Sequence, residues 1–212
     1  VANAQEVTPN FTYQYLSNGT WKNFNGRIDG TTNIDGLKIQ NSGTSAYYIQ
    51  YRTQNAGVSG FYSYVKSTVN DYAGSNGKAM QKLQLQAYNS SGTKLVNEVV
   101  LMWRVKTANS GWLAWVSNAD PEYMKSVYNK FGLDGTLDTS GGYAGKSGVN
   151  IEGIEIRVFE GTIPSSTIDN LPGKEIYPTM SYMVNSSSNW KSFTSKVEAA
   201  MDGIKIQTDS SK

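Results

Sequence analysis

The feature that most constrains this chain is an internal repeat, because a short repeated unit must share its core with its neighbours. Four segments each combine an aromatic-rich opening strand, an aromatic pair three positions apart, and a closing strand. The four closing strands are Asp35–Gln40, Gln81–Gln86, Glu152–Arg157 and Asp202–Gln207. The corresponding opening strands are Tyr13–Leu16, Tyr47–Tyr51, Leu101–Val105 and Tyr182–Val184. We number these segments repeats one to four.

The closing strands alternate apolar and polar residues, which is the pattern of a half-buried strand. Their apolar positions are expected to face one core: Leu37, Ile39, Leu83, Leu85, Ile154, Ile156, Ile204 and Ile206. The intervening polar positions are expected to face the other side: Lys38, Gln84, Glu155 and Lys205.

Three such units predict an all-β, pseudo-threefold closed body, since closure removes exposed sheet edges. A β-prism is slightly favoured over a β-trefoil, and an open β-sandwich is the alternative. Repeat three carries an insertion with one short helix, which Asp120 and Pro121 begin and Gly132 ends. A glycine-rich loop, Gly135–Gly148, follows this helix.

The chain is predicted to divide into four parts. Residues 1–10 form an N-terminal tail, in which Ala2-Asn3-Ala4 matches the small-x-small cleavage rule for a signal peptide. Residues 11–160 form a three-repeat β domain. Residues 161–178, which hold three of the five prolines, form a linker. Residues 179–212 form a fourth, partial repeat.

Composition excludes several classes of function. The chain of 212 residues has neither cysteine nor histidine, so disulfides, cysteine nucleophiles and Ser-His-Asp catalysis are absent. Its net charge is +2 without a basic run, so nucleic-acid binding is not expected. The longest apolar stretches, such as Val99–Trp103, are too short to span a membrane. No cofactor is expected.

Carboxylates offer little catalytic or metal-binding chemistry. Three pairs could serve a glycosidase: Glu152/Glu155, Asp134/Asp138 and Asp29/Asp35. Glu152 and Glu155 lie three apart on a strand and should point to opposite faces. Asp134 and Asp138 supply too few oxygen ligands for a calcium loop. We therefore expect no metal site and no catalytic residue.

The repeats resemble the clostridial hydrophobic repeat with a conserved tryptophan, a tandem module of extracellular Gram-positive proteins. Repeat three carries the resemblance best, through Gly111–Val116, Ala144–Gly148 and Ile151–Ile156. Repeat two keeps the Ala-Gly turn as Ala73–Gly77 but has Phe61 and Tyr64 in place of both tryptophans. The resemblance implies a secreted or cell-surface protein that binds cell wall or polysaccharide.

Aromatic residues are the candidate binding residues. The aromatics that recur in the repeats are interpreted as core residues, with sugar stacking as the alternative: Trp21, Phe61, Trp112 and Trp190. A symmetric core repeats, whereas a unique pocket needs a departure from symmetry. We therefore expect a ligand at the insertion, on a surface formed by Trp115, Tyr123, Tyr128 and Tyr143.

Three functions remain open from the sequence. The first is a non-catalytic module that binds cell-wall or other polysaccharide. The second is a structural or adhesive surface protein, or a filament subunit, whose protein partners contact the fourth repeat. The third is a glycoside hydrolase that uses carboxylates alone.

Overall fold

The computed structural model is mostly antiparallel β-structure, with one short helix among the residues that it describes, as predicted. It describes residues 4–161, 179–183, 191–193 and 203–207. The chain divides into two compact units, Val1–Ile163 and Pro164–Lys212. In the first unit the elements are β1 (Ala4–Val7), β2 (Phe11–Ser17), β3 (Thr20–Phe24), β4 (Arg27–Asp29), β5 (Gly36–Asn41), β6 (Tyr47–Asn55), β7 (Val65–Lys66), β8 (Ala73–Gly74), β9 (Met80–Asn89), β10 (Lys94–Leu95), β11 (Val99–Thr107), β12 (Gly111–Trp112), β13 (Val116–Ser117), α1 (Pro121–Lys130), β14 (Ala144–Gly145) and β15 (Ile151–Gly161).

Each of the first three repeats pairs its opening strand with its closing strand. β2 pairs with β5, β6 with β9, and β11 with β15, all antiparallel. The apolar residues of the three closing strands are buried in one core, as the alternation predicts: Leu37, Ile39, Leu83, Leu85, Ile154 and Ile156. The side chains of Ile204 and Ile206, predicted to do the same in repeat four, lie outside the described residues.

The closing strands also connect the repeats, since each pairs with a short segment from another repeat. Ala73 of repeat two lies opposite Leu37 of repeat one, and Ala144 of repeat three lies opposite Leu83 of repeat two. Ile28 of repeat one lies opposite Ile154 of repeat three. These three contacts occur at the same register position. Repeat one pairs with repeat two, repeat two with repeat three, and repeat three with repeat one, so the series of contacts is closed.

The insertion in repeat three covers the outer face of the β11–β15 sheet. Helix α1 begins at Pro121, after Asp120 at the N-cap, and Gly132 follows its C-cap with a φ of 57°. The Leu133 N–H donates to the Tyr128 carbonyl, and the Gly132 N–H donates to the Asn129 carbonyl, which together form a Schellman end. A second apolar cluster lies between the insertion, β1 and the sheet: Ala4, Val100, Met102, Trp115, Ala119, Met124, Val127, Leu133 and Phe159.

Part of the predicted N-terminal tail is a strand instead. β1 pairs with β15 from Ala4 opposite Gly161 to Val7 opposite Val158. Ala4 is fully buried, and its carbonyl accepts a hydrogen bond from the Lys130 ammonium. An edge strand of this kind is fixed by the backbone pairing that β15 offers. Val1–Asn3, which contain most of the proposed cleavage motif, lie outside the described residues.

In the second unit, β16 (Thr179–Met183) pairs with β17 (Lys191–Phe193) on one side and with β18 (Gly203–Gln207) on the other. Its register matches that of β2, β3 and β5. Met180 lies opposite both Phe193 and Ile206. Tyr13 lies opposite both Phe24 and Ile39 in the same way. The predicted linker lies outside the described residues, apart from Gly161.

Candidate ligand-binding face

The four residues predicted to form a binding surface at the insertion do not form one exposed surface. Trp115 is fully buried, and its indole Nε1 donates to the Asp134 carbonyl at 2.7 Å. Tyr123 and Tyr128 are partly buried on α1 and pack against the second apolar cluster. Tyr143 alone is well exposed, and it contacts Phe61 of repeat two. Trp115 therefore has no ring face available for a sugar, and the predicted common surface is wrong.

The recurring aromatics do not form a repeated core either. Trp21 is exposed and packs edge-to-face on Tyr72, with ring centroids 5.0 Å apart. Phe61 and Trp112 are partly buried, and each contacts an arginine side chain rather than the shared core. Trp190 lies outside the described residues. The expectation of core packing is therefore wrong for Trp21 and unsupported for Phe61 and Trp112.

Repeat one is also shifted by one residue relative to the other two. Phe24 lies opposite Tyr13, whereas Val65 lies opposite the equivalent Tyr51, and Val116 lies opposite Trp103. Phe24 thus corresponds to these valines and faces the core. Because successive side chains on a strand point to opposite faces, a shift of one residue changes the side on which an aromatic lies.

In repeat two, the aromatic pair holds an arginine on the outer face of the sheet. The guanidinium of Arg52 lies 4.6 Å from the ring centroid of Phe61 and 4.3 Å from that of Tyr64. Arg52 Nε donates to Gln84 Oε1 at 2.7 Å, and the Tyr64 hydroxyl donates to the same oxygen at 2.9 Å. Burial raises the pKa of Tyr64, and the positive charge of Arg52 offsets only part of this rise. Arg52 is thus held in place by two rings and one amide.

Repeat three has the same arrangement, but the insertion covers it. Arg104 lies 4.7 Å from the ring of Trp112 and 4.5 Å from that of Trp115. Its Nη2 donates to Glu155 Oε2 at 2.7 Å, at the position equivalent to Gln84. Arg104 is only 2% exposed. In repeats two and three, the two aromatics three apart therefore hold an arginine on the outer face, whereas repeat one has Gln14 at that position; the sequence analysis did not predict this arrangement.

The outer face of the β6–β9 sheet is partly exposed, apart from the buried Gln54 at one end, and it combines rings, amides and cations. Four cross-strand pairs run along it: Tyr48 with Tyr88, Gln50 with Gln86, Arg52 with Gln84, and Gln54 with Lys82. The rings of Tyr48 and Tyr88 are stacked, with centroids 5.6 Å apart. At about 3.4 Å per residue, these four pairs extend over roughly 20 Å. We call this surface, together with Phe61, Tyr64 and Tyr143, the aromatic face.

The glycine-rich loop of repeat three reaches this face from the side. The Tyr143 ring packs edge-to-face on Phe61, with centroids 5.5 Å apart. The Lys82 ammonium lies 4.8 Å from the centroid of the Tyr143 ring. A side chain at Gly142 would come within 3.5 Å of Gln84 Nε2, so the loop backbone lies close to the clamp. The insertion thus contributes Tyr143 to the sheet of the preceding repeat.

A separate cleft has a different chemistry. It encloses about 600 Å³ between β1, β2, β4 and β15. Its carboxylates are ion-paired: Arg157 binds Glu6 through Nε and Nη2, both at 2.6 Å, and Arg27 binds Glu155 at 2.7 Å. A glycosidase acid needs a pKa raised enough to hold its proton. Both carboxylates of this cleft are instead held in ion pairs by arginine side chains.

Two of the other candidate carboxylates, Asp29 and Asp138, have a lowered pKa. A hydrogen bond from Lys106 lowers the pKa of Asp29, and hydrogen bonds from Ser140 lower that of Asp138. Among the residues that the structure describes, no group of three or more acidic side chains is placed to hold a metal ion.

Comparisons of the chain with protein-family models, with curated proteins and with solved structures found no match. In the described ranges, no helix has both the length and the apolar character needed to cross a membrane. The aromatic face is consequently the best indication of function that this chain offers.

Proposed function

We propose that this chain is a non-catalytic extracellular module that binds cell-wall or other polysaccharide through its aromatic face. The observation that carries the proposal is a partly exposed sheet face on which aromatic rings lie beside amide side chains. Flat rings pack on the apolar C–H face of a pyranose, and glutamine amides both donate to and accept from its hydroxyls. The resemblance to a repeat of secreted and surface proteins of Gram-positive bacteria agrees with this function.

We further propose that repeats one to three form a closed body with pseudo-threefold symmetry, closer to a β-prism than to a β-trefoil. Each repeat has its own sheet, and the three inter-repeat contacts occur at one register position. A prism needs one sheet on each of its sides, which supports it over the open sandwich. The arrangement leaves each sheet with an outer face, and only that of repeat three is covered by the insertion.

Removing rings from the aromatic face should weaken binding. We expect Phe61→Ala and Tyr143→Ala each to lower the affinity for the preferred polysaccharide about tenfold or more, because each loses a stacking surface. Affinity is measured by pull-down on Gram-positive cell wall and by titration with a panel of soluble glycans. Both residues are partly exposed, so the thermal midpoint serves as a check that the variants fold.

The matched control is Trp21→Ala, which removes an exposed ring from the sheet of repeat one. It should leave affinity unchanged. Equal binding by wild type and both face variants would contradict the assignment of the site. Binding to none of the polymers would contradict the proposed function.

A second candidate function, a subunit that associates with protein partners, is favoured by the register of repeat four. β18 corresponds to β5, whose second edge pairs with Ala73–Gly74 of the next repeat. Among the described residues, no strand pairs with that edge of β18. Unpaired strand edges are templates for pairing with another chain.

Association through this edge should depend on concentration. We expect the weight-average mass from light scattering to rise above 23.2 kDa as the protein is concentrated. A strict monomer at the highest accessible concentration would contradict this candidate and leave polysaccharide binding untouched.

A further inference from the structure

We infer that the aromatic face recognises an acidic polysaccharide, and that Arg52 binds its carboxylate or phosphate groups. The inference rests on the proposed function and names the substrate class of the same site. It is carried by the unneutralised charge of Arg52, by the comparison with repeat three, and by the cations that surround the clamp.

Arg52 differs from the other arginines of the chain. The chain has four arginines, and three of them bind a carboxylate: Arg27 and Arg104 bind Glu155, and Arg157 binds Glu6. Arg52 forms no ion pair within the described residues. Its one hydrogen bond there is from Nε to the neutral amide of Gln84. The two terminal nitrogens of its guanidinium therefore remain available to a ligand.

Repeats two and three differ in the side chain that lies opposite the arginine. Both repeats keep the arginine and its two rings, but Glu155 of repeat three is replaced by Gln84 in repeat two. In repeat three the carboxylate neutralises a covered arginine. In repeat two the sheet is open and the carboxylate is missing. The site in repeat two thus keeps a positioned arginine but has no carboxylate of its own to pair with it. A binding site for an external anion would have this arrangement.

The shape of the clamp suits a carboxylate or a phosphate. A guanidinium is a planar fork whose parallel N–H groups match two oxygens of either group. The rings of Phe61 and Tyr64 stack against the guanidinium of Arg52. Stacking of this kind restricts the orientation of the guanidinium without using its N–H donors. A ligand anion therefore meets donors that are already oriented, which reduces the entropy lost on binding.

The charged side chains around Arg52 are also positive. Lys82 lies over the rings of Phe61 and Tyr143, and Lys66 lies 5.8 Å from the ring centroid of Tyr48. Neither lysine forms an ion pair with a described residue. The four cross-strand pairs of the face carry no aspartate or glutamate. An acidic polymer would thus meet three cations along the sheet, whereas a neutral polymer would leave Arg52 without a partner.

The experiment compares polymers that differ only in charge. Polygalacturonate and its fully methyl-esterified form share one backbone, so their ratio of affinities isolates the carboxylate. Poly(glycerol phosphate) and duplex DNA are both polyanions without pyranose rings, and they test whether phosphate charge alone is enough for binding. We expect polygalacturonate to bind about tenfold or more tighter than its ester and than either of these two polyanions. Raising the salt from about 0.05 M to about 0.5 M should weaken this binding.

Two variants assign the effect to the clamp. Arg52→Gln removes the cation, and Gln84→Glu supplies the internal carboxylate that repeat three possesses while keeping Arg52. Both should lower affinity for the acidic polymer about tenfold more than they lower affinity for the ester, so that the ratio of the two affinities falls toward one. Lys38→Gln is the matched control, because it removes one positive charge at the position of repeat one that corresponds to Gln84, and it should change affinity less than twofold.

The outcomes separate the inference from the function on which it rests. Equal affinity for acid and ester overturns the inference and preserves polysaccharide binding. Tight acidic binding that survives both Arg52→Gln and Gln84→Glu also overturns it, because the anion then binds elsewhere. Binding of DNA as tight as that of the acidic glycans overturns recognition of a polysaccharide. Binding to no polymer overturns both the inference and the proposed function.

Discussion

Replacing Glu155 by glutamine should destabilise the protein by about 3 kcal/mol, which corresponds to a fall of roughly 6 to 12 °C in the thermal midpoint. Glu155 is 8% exposed and accepts two hydrogen bonds from Arg104, which is 2% exposed. Glu155→Gln removes the buried counter-charge of Arg104, which keeps only a longer ion pair, at 3.2 Å, with the exposed carboxylate of Asp134 among the described residues. The effect is expected near the lower end of the usual range, because the amide oxygen of glutamine still accepts a hydrogen bond. Denaturant unfolding, monitored by tryptophan fluorescence, measures the change.

Repeat two provides the control for this prediction. Gln84→Glu places a carboxylate beside Arg52 at the equivalent position, where both side chains are half-buried. Pairs of this kind contribute little, so stability should change by no more than about 1 kcal/mol. The double variant Arg104→Met with Glu155→Leu should recover most of the lost stability, since apolar replacement of a whole buried pair is often neutral. A small effect of Glu155→Gln would mean that solvent reaches the pair.

The strands and their core could be predicted from the sequence, because the period-two pattern depends only on which face is buried. The register of repeat one could not. Its β2–β3 hairpin turns through Asn18 and Gly19, which have φ values of 50° and 73° and impose a two-residue turn. Repeat two reaches β7 through a longer loop, residues 56–64. Aligning aromatic residues by spacing alone overlooked this difference in turn length.

The sequence did contain a signal for the role of the insertion. β11 is apolar at nearly every position from Val99 to Val105, whereas β6 alternates, and all of these β11 residues are buried. A continuous apolar strand indicates burial on both faces, so something must cover its outer side. The insertion does so with Trp115, Met124 and Val127. The predicted ligand surface was therefore wrong, because departure from symmetry here completes a core.

The aromatic face itself depends on contacts that spacing does not reveal. Tyr143 was predicted as a binding residue, and it lies exposed at the edge of the face. Its neighbours Phe61 and Lys82 belong to the preceding repeat, which only the pairing of β14 with β9 brings close. The residues next to Arg52 in the sequence do not indicate its role, since the rings of Phe61 and Tyr64 and the amide of Gln84 come from more distant positions.

Alanine at the glycines of the inter-repeat contacts should cause a comparably large loss of stability. Gly74 and Gly145 are equivalent residues of β8 and β14, with φ values of 129° and 102°. A Cβ at Gly74 would clash with the backbone oxygen of Asp35, and a Cβ at Gly145 would clash with that of Gln81. A left-handed conformation costs a non-glycine residue about 1 to 2 kcal/mol, and such a clash adds roughly 1 to 3 kcal/mol. We expect Gly74→Ala and Gly145→Ala each to destabilise the protein by about 3 kcal/mol.

The same two segments contain the matched controls. Gly77 and Gly148 also have positive φ values, 79° and 81°, but a Cβ at either would meet no atom within 4 Å. Gly77→Ala and Gly148→Ala should therefore lose only the stability that the positive φ costs, about 1 to 2 kcal/mol, with no added loss from a clash. Denaturant midpoints of the four variants measure the difference within each segment. If all four glycines gave equal losses, close approach of the repeats would not be what requires glycine at Gly74 and Gly145. A larger loss at these two positions would mean that the Ala-Gly segments hold neighbouring repeats together.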